Sequence, residues 1–158
     1  MSDAREQIVS FIKNPVLLSC ICSWFSAQLI KTLIKLFSGK VKSIGELFEL
    51  LLWRTGSMPS SHASMVASLC TSIGLRLGID SDVFVLSLVF FLVTIRDAVG
   101  VRRANGIQAR MINMIGRKLS EKNVVEFTPI KEVQGHTPLE VAMGCLLGIS
   151  IGVAFSVL

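Results

Sequence analysis

The chain has 158 residues, 51% of them hydrophobic and only 17% charged, with a mean hydropathy of +0.64 and a formal charge of +5. Soluble domains carry about 25% charged residues, so this composition excludes an ordinary soluble domain. It also sets nucleic acid aside as a partner, because a basic nucleic-acid binder is polar overall. The length fits one membrane-embedded domain over 1–158, and basic residues on so apolar a chain mark cytoplasmic loops or an anionic ligand.

The N-terminal stretch MSDAREQIVSFIKNP is too acidic, and its apolar run too short, for a cleaved signal peptide. A first span opens at Pro15, a good first-turn residue, and runs to about Phe37. Lys31 and Lys35 fall in its last two turns, four residues apart and so on one face. Residues 38–58 include IGELFELLLW, apolar enough to lie at or dip into the membrane interface.

A second, weaker span opens at Pro59 with SSHASMVASLCTSIGLRLGI, and a third, DVFVLSLVFFLVTIRDAVGV, holds the strongest apolar run. From residue 102 the pattern changes. Ile107, Met111, Met114, Ile115 and Leu119 recur at helical spacing among Arg110, Arg117 and Lys118, which predicts a separate interfacial amphipathic helix. SEKNVVEFTPIKEVQG then reads as a loop, and PLEVAMGCLLGISIGVAFSVL as a fourth span.

The expected fold class is therefore all-α: an integral membrane bundle of about four spans with interfacial helices, in a plasma or inner membrane. Gly144, Gly148 and Gly152 make a doubled G-x-x-x-G on the last span. They suit close intramolecular packing first, and a homo-oligomer seam second. Cys20, Cys22, Cys70 and Cys145 all lie in apolar segments, which argues against a zinc site or a disulfide framework.

Four spans put the end of the first, the start of the second, the end of the third and the start of the fourth on one membrane face. Lys31, Lys35, Arg54, His62, Asp97, Arg102, Arg103, Lys131, His136 and Glu140 all fall there, so the two histidines of the chain converge. The two loops on that side carry ten Lys and Arg residues, which by the positive-inside rule makes it the cytoplasmic face.

Pro59-Ser60-Ser61-His62 at a helix start offers unpaired amide groups, two hydroxyls and an imidazole, which suits phosphate. The plain alternative is an N-cap. Thr137-Pro138-Leu139-Glu140 fits a capping box, and Glu140 also lies four residues after His136, within reach of its ring. A carboxylate so placed fixes the imidazole tautomer and stabilises the imidazolium formed when the other nitrogen attacks. The two roles coexist.

MPSSHAS, RDAVGVRRANGIQA and KEVQGHTPLEVAMGCLLGI, in this order, resemble the divergent membrane family related to the type 2 phosphatidic acid phosphatases and vanadium haloperoxidases. That superfamily has three motifs: Lys-x6-Arg-Pro, Pro-Ser-Gly-His and Ser-Arg-x5-His-x3-Asp. Pro59, Ser60 and His62 match the second, with Ser61 for glycine; His136 and Glu140 match the end of the third, with glutamate for aspartate. The resemblance implies that His136 is a nucleophile forming a phosphohistidine, that Glu140 orients it, and that His62 protonates the leaving group, with no metal or other cofactor.

Two departures stand out. Ile130 occupies the position of the third-motif arginine, with Lys131 beside it, and the first motif has no full match. The phosphate-binding groups must then come from Lys31, Lys35, Arg54, Arg102, Arg103 and Lys131, with Ser60 and Ser61. Arg102 and Arg103 are preferred for their bidentate grip, and Asp97 is placed to orient an arginine. The implied activity is a lipid phosphatase or phosphotransferase acting on a polyprenyl or other lipid phosphate or diphosphate. The alternative is a catalytically silent protein binding anionic lipid head groups or a partner.

Overall fold

Short polar caps start several helices of this chain. The structure, a computed structural model, describes residues 4–39, 58–132 and 135–157. After a short exposed helix, α1 (Ala4–Ile12), the Asn14 side chain accepts the Val16 and Leu17 amides at 2.9 and 3.4 Å, and Pro15 fills the first turn of α2 (Pro15–Phe37). Ser60 caps α3 (Ser61–Leu77), which stops at Gly78, where φ is +89° and a side chain would be strained. Ser81 caps α4 (Asp82–Arg96) by accepting the Phe84 amide.

The third predicted span and the predicted interfacial helix are not separate. A π-helical turn, Asp97–Val101, joins α4 directly to α5 (Arg102–Glu121), giving one helical stretch of 40 residues. At 1.5 Å per residue that is about 60 Å, twice the hydrocarbon thickness. The apolar α4 half therefore suits the bilayer and the amphipathic α5 half extends beyond it.

The chain after α5 folds back along it. Asn113 is buried and pairs both ways with the Ile130 backbone at 2.9 Å, and its amide also donates to Glu132 at 2.8 Å. Phe127 packs against Gly116. Ile107, Met111, Met114 and Ile115 stay exposed, the apolar face predicted for an interfacial helix.

α6 (Pro138–Val157) completes the bundle, in which α3 is central and packs on α2, α4 and α6. That position explains why α3 is short and serine-rich. Ser60, Ser64, Ser68 and Ser72 repeat every four residues and are all essentially buried. Ser64 pairs with Ser23 of α2 at 2.6 Å, and Ser72 pairs with Ser19 at 2.9 Å. On the other side Gly144, Gly148 and Gly152 lie against the backbone carbonyls of Ser60, Ser64 and Ser68.

The glycine face is thus filled by α3 of the same chain, and all three glycines are buried there. The close intramolecular packing expected first for these glycines is present, and the second reading, a homo-oligomer seam, would need that same face.

Burial is inverted relative to a soluble protein. The buried positions are mostly serine, glycine and alanine, while Val85, Leu86, Val89, Phe90, Leu92 and Val93 of α4 are exposed. Lipid is as apolar as leucine, so small residues that let backbones approach are what holds such helices together. Among the described residues, three helical stretches are long and apolar enough to cross a membrane: Pro15–Phe37, the one containing α4, and Pro138–Val157. The expected fourth, α3, has 17 residues and is distinguished by its polar seam rather than by an apolar surface. The IGELFELLLW segment lies outside the described residues.

Candidate functional site

The end of α2, the start of α3, the π turn and the start of α6 meet at one end of the bundle. Lys31 is 2% exposed, and its ammonium donates to Gln28 Oε1 at 3.0 Å and to Ser61 Oγ at 3.1 Å. Both partners are neutral. Among the described residues the ammonium has no ion-pair partner, a costly arrangement for a buried cation. Gln28 is a site residue that motif matching misses. No sequence signal singles it out, because α2 also carries Ser19, Ser23, Ser26 and Thr32.

His136 is 5% exposed and sits just before α6. Its Nδ1 lies 3.2 Å from Glu140 Oε2. An ionised carboxylate can only accept, so Nδ1 carries the proton and Nε2 presents its lone pair. Glu140 Oε2 also accepts the Thr137 amide at 2.8 Å, while Thr137 Oγ1 accepts the Glu140 amide at 3.4 Å. The capping box and the histidine contact are therefore made by the same carboxylate. Burial pushes the His136 imidazole below its ordinary value, and Glu140 opposes that shift.

One backbone bond ties the two halves of the cluster: the Ser60 amide donates to the Glu140 carbonyl at 2.9 Å. The Ser60 hydroxyl is taken up in capping, accepting the Ala63 amide at 3.4 Å, so Ser60 serves the helix start. Ser61, one residue on, is the serine that reaches Lys31. His62 is half-buried, and Lys31, Arg102, His136 and Asp97 are all close enough to act on its ring electrostatically.

Arg102 lies across the π turn from Asp97, with Nε 2.6 Å from Asp97 Oδ2. Its charge bears on both histidines. Gly135 rests on the backbone of Arg103 so closely that a Cβ there would collide with it, which seats the His136 segment against the start of α5. The Arg103 side chain lines a neighbouring cavity of about 340 Å³ with Arg110, Thr137 and Glu140.

The cations expected at the site thus separate. Lys31 and Arg102 join the histidines, and the Lys35 charge acts on Lys31 from one turn away. Arg103 flanks the cluster, and Lys131 is exposed in the segment that folds back along α5. Ile130, at the position of the superfamily arginine, is held by its backbone to Asn113, so that segment is committed to α5. Arg54 lies outside the described residues.

Fold and cluster together define a helical membrane protein with a paired-histidine, lysine-bearing cluster at one end of its bundle. The chain belongs to the Divergent PAP2 family, whose sequence profile matches residues 12–151. It is also similar to a Bacillus subtilis (strain 168) protein described as the uncharacterized membrane protein YuiD, with 35% identity over 154 aligned positions covering 89% of this chain and 93% of that one. No solved structure matches the chain.

Proposed function

We propose that this protein is a membrane lipid phosphatase or phosphotransferase acting on a polyprenyl or other lipid phosphate or diphosphate through a phosphohistidine intermediate. The observation that carries this reading is the buried Lys31 ammonium, held by neutral partners beside the His136–Glu140 pair. Membership of a PAP2-related family supports it.

The lipid phosphate enters with its chain in the bilayer and its phosphoryl group among Lys31, Arg102 and the Ser61 hydroxyl. His136 Nε2 attacks phosphorus, the bond to the lipid oxygen breaks, and His62 gives that oxygen a proton. Glu140 stabilises the imidazolium through Nδ1. Water, or an acceptor hydroxyl, then attacks phosphorus, the bond to His136 Nε2 breaks, and His62 takes the proton of the attacking oxygen.

The test is phosphate release by purified protein in detergent from a panel of lipid phosphates and diphosphates, with chelator and with vanadate. Chelator-resistant, vanadate-sensitive release that His62→Ala abolishes is the expected result. Lys31→Met should lose vanadate binding while keeping or raising the melting temperature, because it removes a buried charge without emptying its space. Ile130 at the arginine position favours a second reading, a catalytically silent binder of anionic lipid head groups. Tight vanadate binding by wild type with no release from any lipid would select it.

The pH dependence has a defined sign. His136 must be neutral to attack, and its proton affinity is lowered by burial. The acid limb of kcat/KM should therefore fall below the ordinary histidine value of about 6.5. Glu140 raises the proton affinity, so Glu140→Gln should move that limb further toward acid. Stability follows the same group: the unfolded chain takes up the proton first, so acidification through that range destabilises the fold. A limb above the ordinary value, or one that Glu140→Gln shifts toward alkali, contradicts this assignment.

A further inference from the structure

The π turn between α4 and α5 packs Ala98, with Val99 beside it, against Ala63 and Val141. Gly100 has open space where a Cβ would stand, and only Ala98 in the turn is buried. Its clearest consequence is azimuthal. In an α-helix, residues five apart point about 140° away from each other, whereas residues four apart differ by about 40°. Here the Arg102 amide donates to the Asp97 carbonyl, the five-residue closure of a π turn, and the two side chains meet at 2.6 Å.

The turn therefore does for positions 97 and 102 what an α-helix does for positions four apart. Asp97 engages Arg102 through Nε, the innermost of the guanidinium donors. The charge so held bears on His62 and on His136.

We infer that Asp97 is a positioning residue and that the π turn, by letting it grip Arg102, aims that guanidinium at the phosphoryl group between the two histidines. This rests on the function proposed above and deepens it, since it assigns the grip to one of several cations. Arg102 then supplies the charge that Ile130, in the superfamily arginine position, does not.

The sign of one substitution separates positioning from mere proximity. Asp97→Asn removes a negative charge near the anion, so if Asp97 were only a neighbour, anion binding would tighten. If Asp97 positions Arg102, binding weakens. We expect vanadate affinity of the full-length protein in detergent to fall about tenfold in Asp97→Asn, as for loss of one well-aligned charge-assisted contact. KM should rise more than kcat falls, and Asp97→Glu should recover part of the loss.

Deleting Gly100 turns the five-residue closure into a four-residue one with the pair still on one face. It should bind vanadate within about twofold of wild type. Tighter or unchanged binding in Asp97→Asn overturns the positioning role alone. If that variant proves unstable, Arg102→Lys carries the test, since it keeps the charge but not the fork; undiminished affinity there overturns the inference. Absence of vanadate binding by the wild type overturns the anion site itself, and this role with it.

Discussion

His136→Ala should reduce phosphate release by at least about a thousandfold while leaving vanadate or orthophosphate binding measurable, because the proposed mechanism makes this ring its nucleophile and offers no substitute. His62 is the nearest other imidazole, yet Glu140 makes its hydrogen bond to His136 and none to His62 among the described residues. An imidazole without that carboxylate has no fixed tautomer and no stabilised imidazolium. Glu140→Gln should cost less than His136→Ala, on the order of a hundredfold, since the amide still caps α6 but cannot compensate the positive ring.

The decisive measurement is rapid acid-free quenching with radiolabelled lipid phosphate, read as label on the protein. Wild type should accumulate label that survives alkali and is lost in acid, and His136→Ala should show none. Full turnover in His136→Ala would remove the nucleophile from the mechanism whatever happened to binding.

Much of this cluster is legible in the sequence because the signals are local and chemically redundant. Pro15 and Thr137-Pro138-x-Glu140 mark helix starts, and the structure begins α2 and α6 there, with the Asn14 cap as an addition at the first. The meeting of His62 with His136 follows from alternation alone: helix ends that alternate bring the end of α2, the start of α3 and the start of α6 to one side, with Lys31 among them.

What stays hidden is whatever depends on register or on a partner surface. The π turn is one extra residue in an uninterrupted helix, and at DAVGV no proline or cap marks it, so the pattern change at Arg102 looks like a break between two helices. Gln28 is invisible until Lys31 is known to be buried. The α3 segment looks like a weak span because hydropathy averages over its faces, whereas Ser60, Ser64, Ser68 and Ser72 are one face of a helix surrounded by others.

Gly148→Val tests that arrangement, and a large loss of stability is expected. The added Cβ would fall on the Ser64 carbonyl and close to the Ala67 side chain, at 2.9 Å, and a backbone carbonyl inside a helix cannot swing aside as a flexible side chain can. Overpacking of a close interface costs about 1–3 kcal/mol, and contact with backbone belongs at the upper end. Two helices must then separate along their length, because Gly144 and Gly152 meet Ser60 and Ser68 in the same way one turn to either side. Separation also loosens the Ser60–Glu140 backbone bond, which holds the His62 and His136 halves together.

The variant should therefore melt lower in detergent and lose vanadate affinity, although residue 148 lies two turns from Glu140. Gly100→Ala is the control: open space receives its methyl group, and alanine in a helix is favoured over glycine by about 0.5–1 kcal/mol. Oligomeric state separates this account from a glycine seam between chains. If Gly148→Val dissociated an oligomer while each chain kept its melting temperature, the glycines would face a second copy. A fall in melting temperature with the particle mass unchanged is what the α3–α6 contact requires.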